Sequence, residues 1–234
     1  MNNPGISLYL IPTILADGTQ NEVLSPQIRA VVQDLDVFFV ENVRTARRFI
    51  SSLKLGKVID ELTFIELNKD TPEADTAASL RKLSKNAGII SEAGCPGVAD
   101  PGAVAVRMAH ELGIKVVPLV GPSSILLALM ASGMSGQSFA FHGYLPIDKA
   151  QRRKALQALE RNARQNQQTQ IFMETPFRNN QLLEAVIEAC APDLPLCIAA
   201  NVTGPDEFIR TMPLKNWKAQ KPDLHKIPAI FLIG

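Results

Sequence analysis

Hydrophobic and polar positions along the chain follow two rhythms. Short runs that are apolar almost throughout, SLYLIP at residues 7–12, DVFFVE at 36–41 and GIIS at 88–91, have the length and the β-branched or aromatic content of buried strands. Between them lie stretches with apolar residues three and four apart, the spacing of a helix with one buried stripe. SPQIRAVVQDL opens with Ser25 as a cap and Pro26 at the first helical position, where proline's missing donor costs nothing. RTARRFISSLK, a segment from about Glu73 to Asn86, and AVAVRMAHEL read as further helices, with TFIEL and IKVVPLV as further strands. Strands separated by helices in this order predict a mostly parallel sheet covered by helices on both faces.

The texture changes around residues 133–148, where glycines and SFAFHGYLP lead into a polar helix, DKAQRRKALQALERNARQ. That change places a boundary near residue 135 and predicts two α/β domains, 1–135 and 136–234. The second alternates again: TQIFME, a long helix from Pro176 to Cys190, LCIAANV, EFIRTM and a terminal PAIFLIG. A chain of 234 residues can hold two domains of about 100–120 residues each.

Charge and composition narrow the partners. Twenty-four basic against 23 acidic side chains leave a net charge of +1, so a nucleic-acid partner would have to be met by a local patch. The three cysteines, Cys95, Cys190 and Cys197, lack CxxC spacing and are too few for a disulfide scaffold, which fits a reducing cytoplasm. The segment MNNPGISLYLIPTILADG has no basic region and its apolar run is broken by Pro12; it reads as neither a signal peptide nor a membrane span. His110, His142 and His225 are scattered, with no i, i+4 pairing or cysteine cluster beside them, so no metal site is expected.

The chemistry should lie on loops that follow strands, because ligands of open α/β sheets settle outside the strand carboxyl ends. PTILADGT, EAGCPGVADPG and VGPSS are such loops. Neither GxGxxG after the first strand nor a P-loop is present, which turns the reading away from a phosphate-bearing cofactor. The glycines and prolines of EAGCPGVADPG instead describe a stiff loop that lets a ligand approach the main chain.

EAGCPGVADPG, PLVGPSSILLALMASG, FAFHGYLP and QIFMETPFR, in that order, resemble the tetrapyrrole methylase superfamily of S-adenosylmethionine-dependent methyltransferases. Within it they are most similar to the branch that methylates a cytidine ribose 2′-hydroxyl in small-subunit ribosomal RNA. The resemblance implies a homodimer of two-domain α/β chains with S-adenosylmethionine in the cleft between the domains. Carried onto this sequence, the cofactor contacts fall on Pro12, on Gly94, Cys95, Pro96, Gly97, Val98 and Ala99, on Ser123 and Ser124, and on Met173. Asn201 and Ala229 complete the set by strand order rather than by motif. The relatives' EDTR reads ENVR here, keeping Glu41 and Arg44 as the catalytic pair but replacing the central carboxylate by Asn42. Their TPIGNL has lost its Gly-Asn pair, with Leu15 and Ala16 in that stretch, and a lysine near the acidic pair Asp206 and Glu207 is absent.

Glu41, Glu92 and Glu174 all follow strands and are candidates to take a proton from an acceptor hydroxyl. The bland alternatives are an ion pair between Glu41 and Arg44 that orders the loop, and a hydrogen-bonding role for Glu92. Cys95 has no base or cation nearby in sequence to activate it as a nucleophile. Lys149, Arg152, Arg153 and Lys154, with Arg161 and Arg164, lie on one helix whose apolar stripe is Ala155, Leu156, Leu159 and Ala163. They form either a solvated face or a patch that meets RNA phosphates. Three readings remain open: a ribosomal RNA methyltransferase, a methyltransferase for a tetrapyrrole or other small molecule, and a cofactor-binding protein with reduced catalysis.

Overall fold

The structure, a computed structural model, describes residues 5–234, which fall into two compact units, one ending at Ser123 and one beginning at Ser124. The first unit runs β1 (Ser7–Ile11), α1 (Gln20–Val23), α2 (Pro26–Asp34), β2 (Val37–Val40), α3 (Val43–Ser52), β3 (Thr63–Glu66), α4 (Glu73–Arg81), β4 (Ala87–Ile90), α5 (Gly102–Glu111) and β5 (Lys115–Pro118). Its strands form one sheet in the order β3-β2-β4-β1-β5, parallel at every pairing. Successive strand residues point to opposite faces, and in the inner strands β2 and β4 both faces are dry. Phe38 packs with Ile28, Val32 and Ile50 of α2 and α3, whereas Phe39 packs with Leu80 and Ala105 of α4 and α5. Burial on both sides is why these strands read as unbroken apolar runs.

Local chemistry sets the element ends. Asn42 caps α3, its side-chain oxygen accepting from the Thr45 N–H at 3.2 Å. Ser25 and Pro26 do stand at the start of α2, but the Ser25 hydroxyl makes no capping bond. The helix expected from Glu73 to Asn86 stops at Arg81, and Asn86 lies beyond it, its side chain accepting the Ser7 N–H at 2.8 Å at the start of β4.

The second unit runs α6 (Ser124–Ser132), β6 (Phe139–Tyr144), α7 (Lys149–Asn166), β7 (Thr169–Met173), α8 (Asn179–Ala189), β8 (Pro195–Ala200), β9 (Phe208–Pro213), α9 (Leu214–Ala219) and β10 (Ala229–Ile233). Its sheet has the order β6-β7-β10-β8-β9, with β6 and β7 parallel and every other pairing antiparallel. One face carries Phe172, Ile198 and Phe231 into a core with Leu156 of α7, Leu183 of α8 and Trp217 of α9. The Trp217 indole N–H is satisfied by the Leu196 carbonyl at 2.9 Å. On this sheet α6 packs against β8, β9 and β10, so the division between units precedes α6, whereas the change of sequence texture near residue 135 follows it. Among the described residues no helix is long and apolar enough to cross a membrane.

Candidate functional site

A wholly parallel sheet sends the loops after β1, β2, β4 and β5 out of one edge, where open α/β sheets bind ligands. Three of these loops interlock. The Gly94 carbonyl accepts both the Thr13 N–H, at 2.9 Å, and the Ser91 hydroxyl, at 2.7 Å. Gly94 has φ +70°, and a Cβ there would lie 3.2 Å from Leu15 Cδ2 and 3.3 Å from the Pro122 carbonyl. The β5 loop is packed tighter still: a Cβ on Gly121 would sit 2.2 Å from Pro12 Cβ, so only glycine lets VGPSS lie against that proline. Pro12, Gly94 and Cys95 are thereby gathered beside Pro122, immediately before Ser123. The Cys95 thiol faces the Pro122 carbonyl at 3.3 Å, and burial, reinforced by Asp100, pushes its pKa up. That suits a packed thiol and not a nucleophile.

Asp100 holds the rest of the loop from beneath. Its Oδ1 accepts the N–H groups of Gly97, at 2.7 Å, and Gly102, at 2.8 Å. Burial raises the Asp100 pKa even against these two donors. Gly97 has φ +81° and Ala99 φ +61°, the second being a conformation a residue with Cβ adopts only when its surroundings require it. Val98 and Ala99 are exposed; the Val98 N–H closes the turn over Pro96 and Gly97, and among the described residues the Ala99 N–H has no partner. The loop is therefore rigid underneath and leaves the Ala99 N–H free for a ligand.

Glu41, directly after β2, is half-buried. Burial raises its pKa, and the charges of Glu92 and Asp100 raise it further. With Asp100, Ala99, Asn68 and Lys69 it lines a cavity of about 500 Å³. A second cavity, of about 370 Å³, opens between the first loop and α3, lined by Thr13, Leu15, Thr45, Arg48, Ser91 and Glu92. The ion pair of Glu41 with Arg44 is not made: Arg44 is exposed, and among the described residues it has no carboxylate partner. The ordering role falls to Asn42, whose side chain caps the helix as an aspartate of the same length would in its place. Glu174 is not available as a base, since its Oε1 accepts from Arg178 at 2.6 Å and from the Thr175 N–H at 2.7 Å. Thr13, Ser91 and Asp100 are site residues that sequence reasoning missed. The signal for Asp100 was present in DPG, an aspartate two residues before a glycine at a helix start.

The second unit brings its own three predicted contacts together. Met173 ends β7 and pairs with Ile230, next to Ala229. Ala229 pairs with Ala200, and the Asn201 N–H donates to the Pro228 carbonyl at 3.0 Å, with Asn201 at φ +48°.

The basic helix differs from its sequence grouping. At about 100° per residue, Leu156, Leu159 and Ala163 form the buried stripe, and Arg152 falls on the same side. It is half-buried, with Nη1 donating to the Ile147 carbonyl at 3.4 Å. Lys149 lies 3.8 Å from Glu188, and Arg164 is held by Glu160 and Asp193, each at 3.1 Å. The free cations are Arg153, Lys154 and Arg161, exposed on one arc and without a carboxylate partner among the described residues.

Residues 18–217 match the family model of the tetrapyrrole (corrin/porphyrin) methylases. The chain is 30% identical over 210 residues to the ribosomal RNA small subunit methyltransferase I of Escherichia coli O157:H7, covering 88% of this chain and 69% of that one. It is 31% identical over 204 residues to the Bacillus subtilis protein of the same name, covering 87% and 66%. Its fold is similar to that of a diphthine synthase, with TM-score 0.65, 15% identity and coverage of 97% and 89%. It is also similar to a uroporphyrin-III C-methyltransferase from Thermus thermophilus complexed with S-adenosylhomocysteine, with TM-score 0.59, 15% identity and coverage of 97% of both chains.

Proposed function

From the premise that the chain belongs to the tetrapyrrole methylase family of methyltransferases, we propose that it moves a methyl group from S-adenosylmethionine to a ribose hydroxyl of small-subunit ribosomal RNA. The relatives named for that RNA, at about 30% identity over most of the chain, support the acceptor class. The observation that carries the chemistry is the interlocked β1, β4 and β5 loops beside a half-buried, unpaired carboxylate. The fit to the cofactor rests on the loop itself: positive φ at Gly94, Gly97 and Ala99 and a free N–H on Ala99 suit a ligand held by main-chain contacts. Pro12, the segment from Gly94 to Ala99, Ser123 and Ser124 would hold it, with Met173, Asn201 and Ala229 as further contacts.

S-adenosylmethionine, when bound, supplies a methyl group carried on a sulfonium. The chain's part is to position the acceptor oxygen and to receive its proton, and Glu41 is the residue for the second task. A carboxylate pushed up from its ordinary pKa is a better base near neutrality than a solvated one. Arg44, exposed and free of carboxylates, is placed to meet an acceptor phosphate. A cytoplasmic homodimer goes with this reading.

Glu41→Gln tests it. The substitution should leave melting temperature and cofactor affinity unchanged and lower turnover about a hundredfold, the scale of a positioned acid or base. Mass spectrometry of ribosomal RNA and of small-molecule extracts from cells with and without the protein identifies the acceptor. A missing ribose methyl supports RNA; a missing methylated porphyrinoid with intact RNA overturns it.

A further inference from the structure

We propose that Tyr144 and Phe177, exposed rings where β6 and β7 leave the second sheet, form a stacking platform for unpaired bases, so that the RNA acceptor is presented as a single strand. The inference rests on the RNA reading above and adds the form of the substrate and the surface that takes it. Tyr144 is 58% exposed, Ile147 70% and Phe177 65%. A scattered apolar residue at a surface is ordinary; a grouped set of large ones marks a contact site. These are grouped by the topology. The strands β6 and β7 run parallel, with Tyr144 opposite Met173, so the turn carrying Ile147 and the turn carrying Phe177 emerge side by side. His225 adds a third ring, edge-on to Phe177 at 6.2 Å.

The charges around the rings choose the partner. Arg178, next to Phe177, is fixed by Glu174 at 2.6 Å, and Arg152 is fixed on the Ile147 carbonyl at 3.4 Å. Along α7, Arg153 begins the arc of free cations about 6 Å beyond Lys149, at 1.5 Å per residue. Exposed rings with the free cations Arg153, Lys154 and Arg161 following along α7 match the faces of bases joined by phosphates. A second copy of this chain fits the patch poorly, because it would bring a second set of exposed Arg153, Lys154 and Arg161 side chains with no carboxylate partners of their own. A duplex fits it poorly too, since paired bases hide the faces a ring can cover, and duplex RNA is read through its backbone and shape.

The experiment is fluorescence anisotropy with a labelled single-stranded RNA of about 12 nucleotides, within the site size of single-strand binders, and with the same sequence as a duplex. The proteins are wild type, Tyr144→Ala, Phe177→Ala, the ring-retaining Tyr144→Phe and Phe177→Tyr, and the Ala double variant. Wild type should prefer the single strand. Each ring removed should weaken that binding roughly tenfold, with the ring-retaining variants close to wild type. Melting temperature and S-adenosylmethionine affinity should not change, because both side chains are largely exposed. Equal single-strand affinity in wild type and double variant overturns the platform and leaves the RNA reading standing. A loss of cofactor affinity equal to the loss of RNA affinity also overturns it, by moving the rings into the cofactor site. A shift in sedimentation that accompanies the substitutions overturns it in favour of a contact between copies. Failure of wild type to bind either RNA removes the acceptor reading itself.

Discussion

Asp100 receives two backbone N–H groups on one oxygen and still has its pKa raised, because burial outweighs both. A carboxylate with a folded pKa above its unfolded value adds stability that is complete below the ordinary carboxylate range and is lost as pH rises through the folded value. Asp100→Asn keeps an acceptor for both donors and removes the charge. Thermal melts between about pH 4 and 7 should therefore show wild type losing stability across a window that Asp100→Asn crosses with less change. Superimposable slopes would mean that Asp100 ionises as freely in the folded chain as in the unfolded one. Glu41 gives a kinetic counterpart. A base works deprotonated, so turnover should climb with pH through its raised pKa, and Glu92→Gln, by removing one of the two repelling charges, should move that acid limb to lower pH. An acid limb in the same place for Glu92→Gln and wild type would take Glu92 out of Glu41's surroundings.

At the scale of elements, the altered ENVR segment is a helix start before it is anything else. Asn42→Ala should cost about 1 kcal/mol, the usual loss for a cap, while Asn42→Asp should be nearly neutral. Denaturant unfolding of the two variants checks this, and an Asn42→Ala midpoint equal to wild type would make the capping bond energetically idle. Gly121→Ala places a methyl where Pro12 already stands and should both destabilise the fold and weaken S-adenosylmethionine binding, as measured by calorimetry beside the melt. The first sheet was legible because burial on both faces leaves an unmistakable apolar run, and α7 because one stripe stays apolar through 18 residues. The helix α6 was not, because Ile125, Leu127 and Leu129 recur on every side and leave no stripe to find. Pairing between Glu41 and Arg44 looked natural in sequence, three residues apart, but the cap at Asn42 starts a helix between them and turns Arg44 out to solvent. Which carboxylates lie free and which are tied, as Glu174 is to Arg178, is settled by rotamers and neighbours that sequence spacing does not specify. The glycine motifs were readable as a stiff loop, yet what stiffens it is tertiary: Thr13 reaches it from the β1 turn, and Ser91 and Asp100, nine residues apart, fold back on it from its two ends.

Over the whole molecule a net charge of +1 rules out binding RNA by bulk attraction, so the cations that matter must be few and local. Reversing Arg153, Lys154 and Arg161 to glutamate should weaken RNA binding and flatten its dependence on salt, by about 0.7 in logarithmic slope for each single-strand phosphate that is no longer neutralised. Cofactor affinity should hold, and an unchanged slope would return α7 to the role of a solvated face. The parallel order of the first sheet has a historical consequence. Its working loops are distant in sequence and adjacent in space, and those after β2, β3 and β4 each hang between a strand and a helix of the same unit. Residues can be inserted into, or deleted from, one loop with the strands still threaded as before. A lineage can thus rewrite the turns after β2 and β3, which line the larger cavity, more freely than the interlocked turns after β1, β4 and β5, where Gly94 and Gly121 leave no room for a side chain at the points of touch.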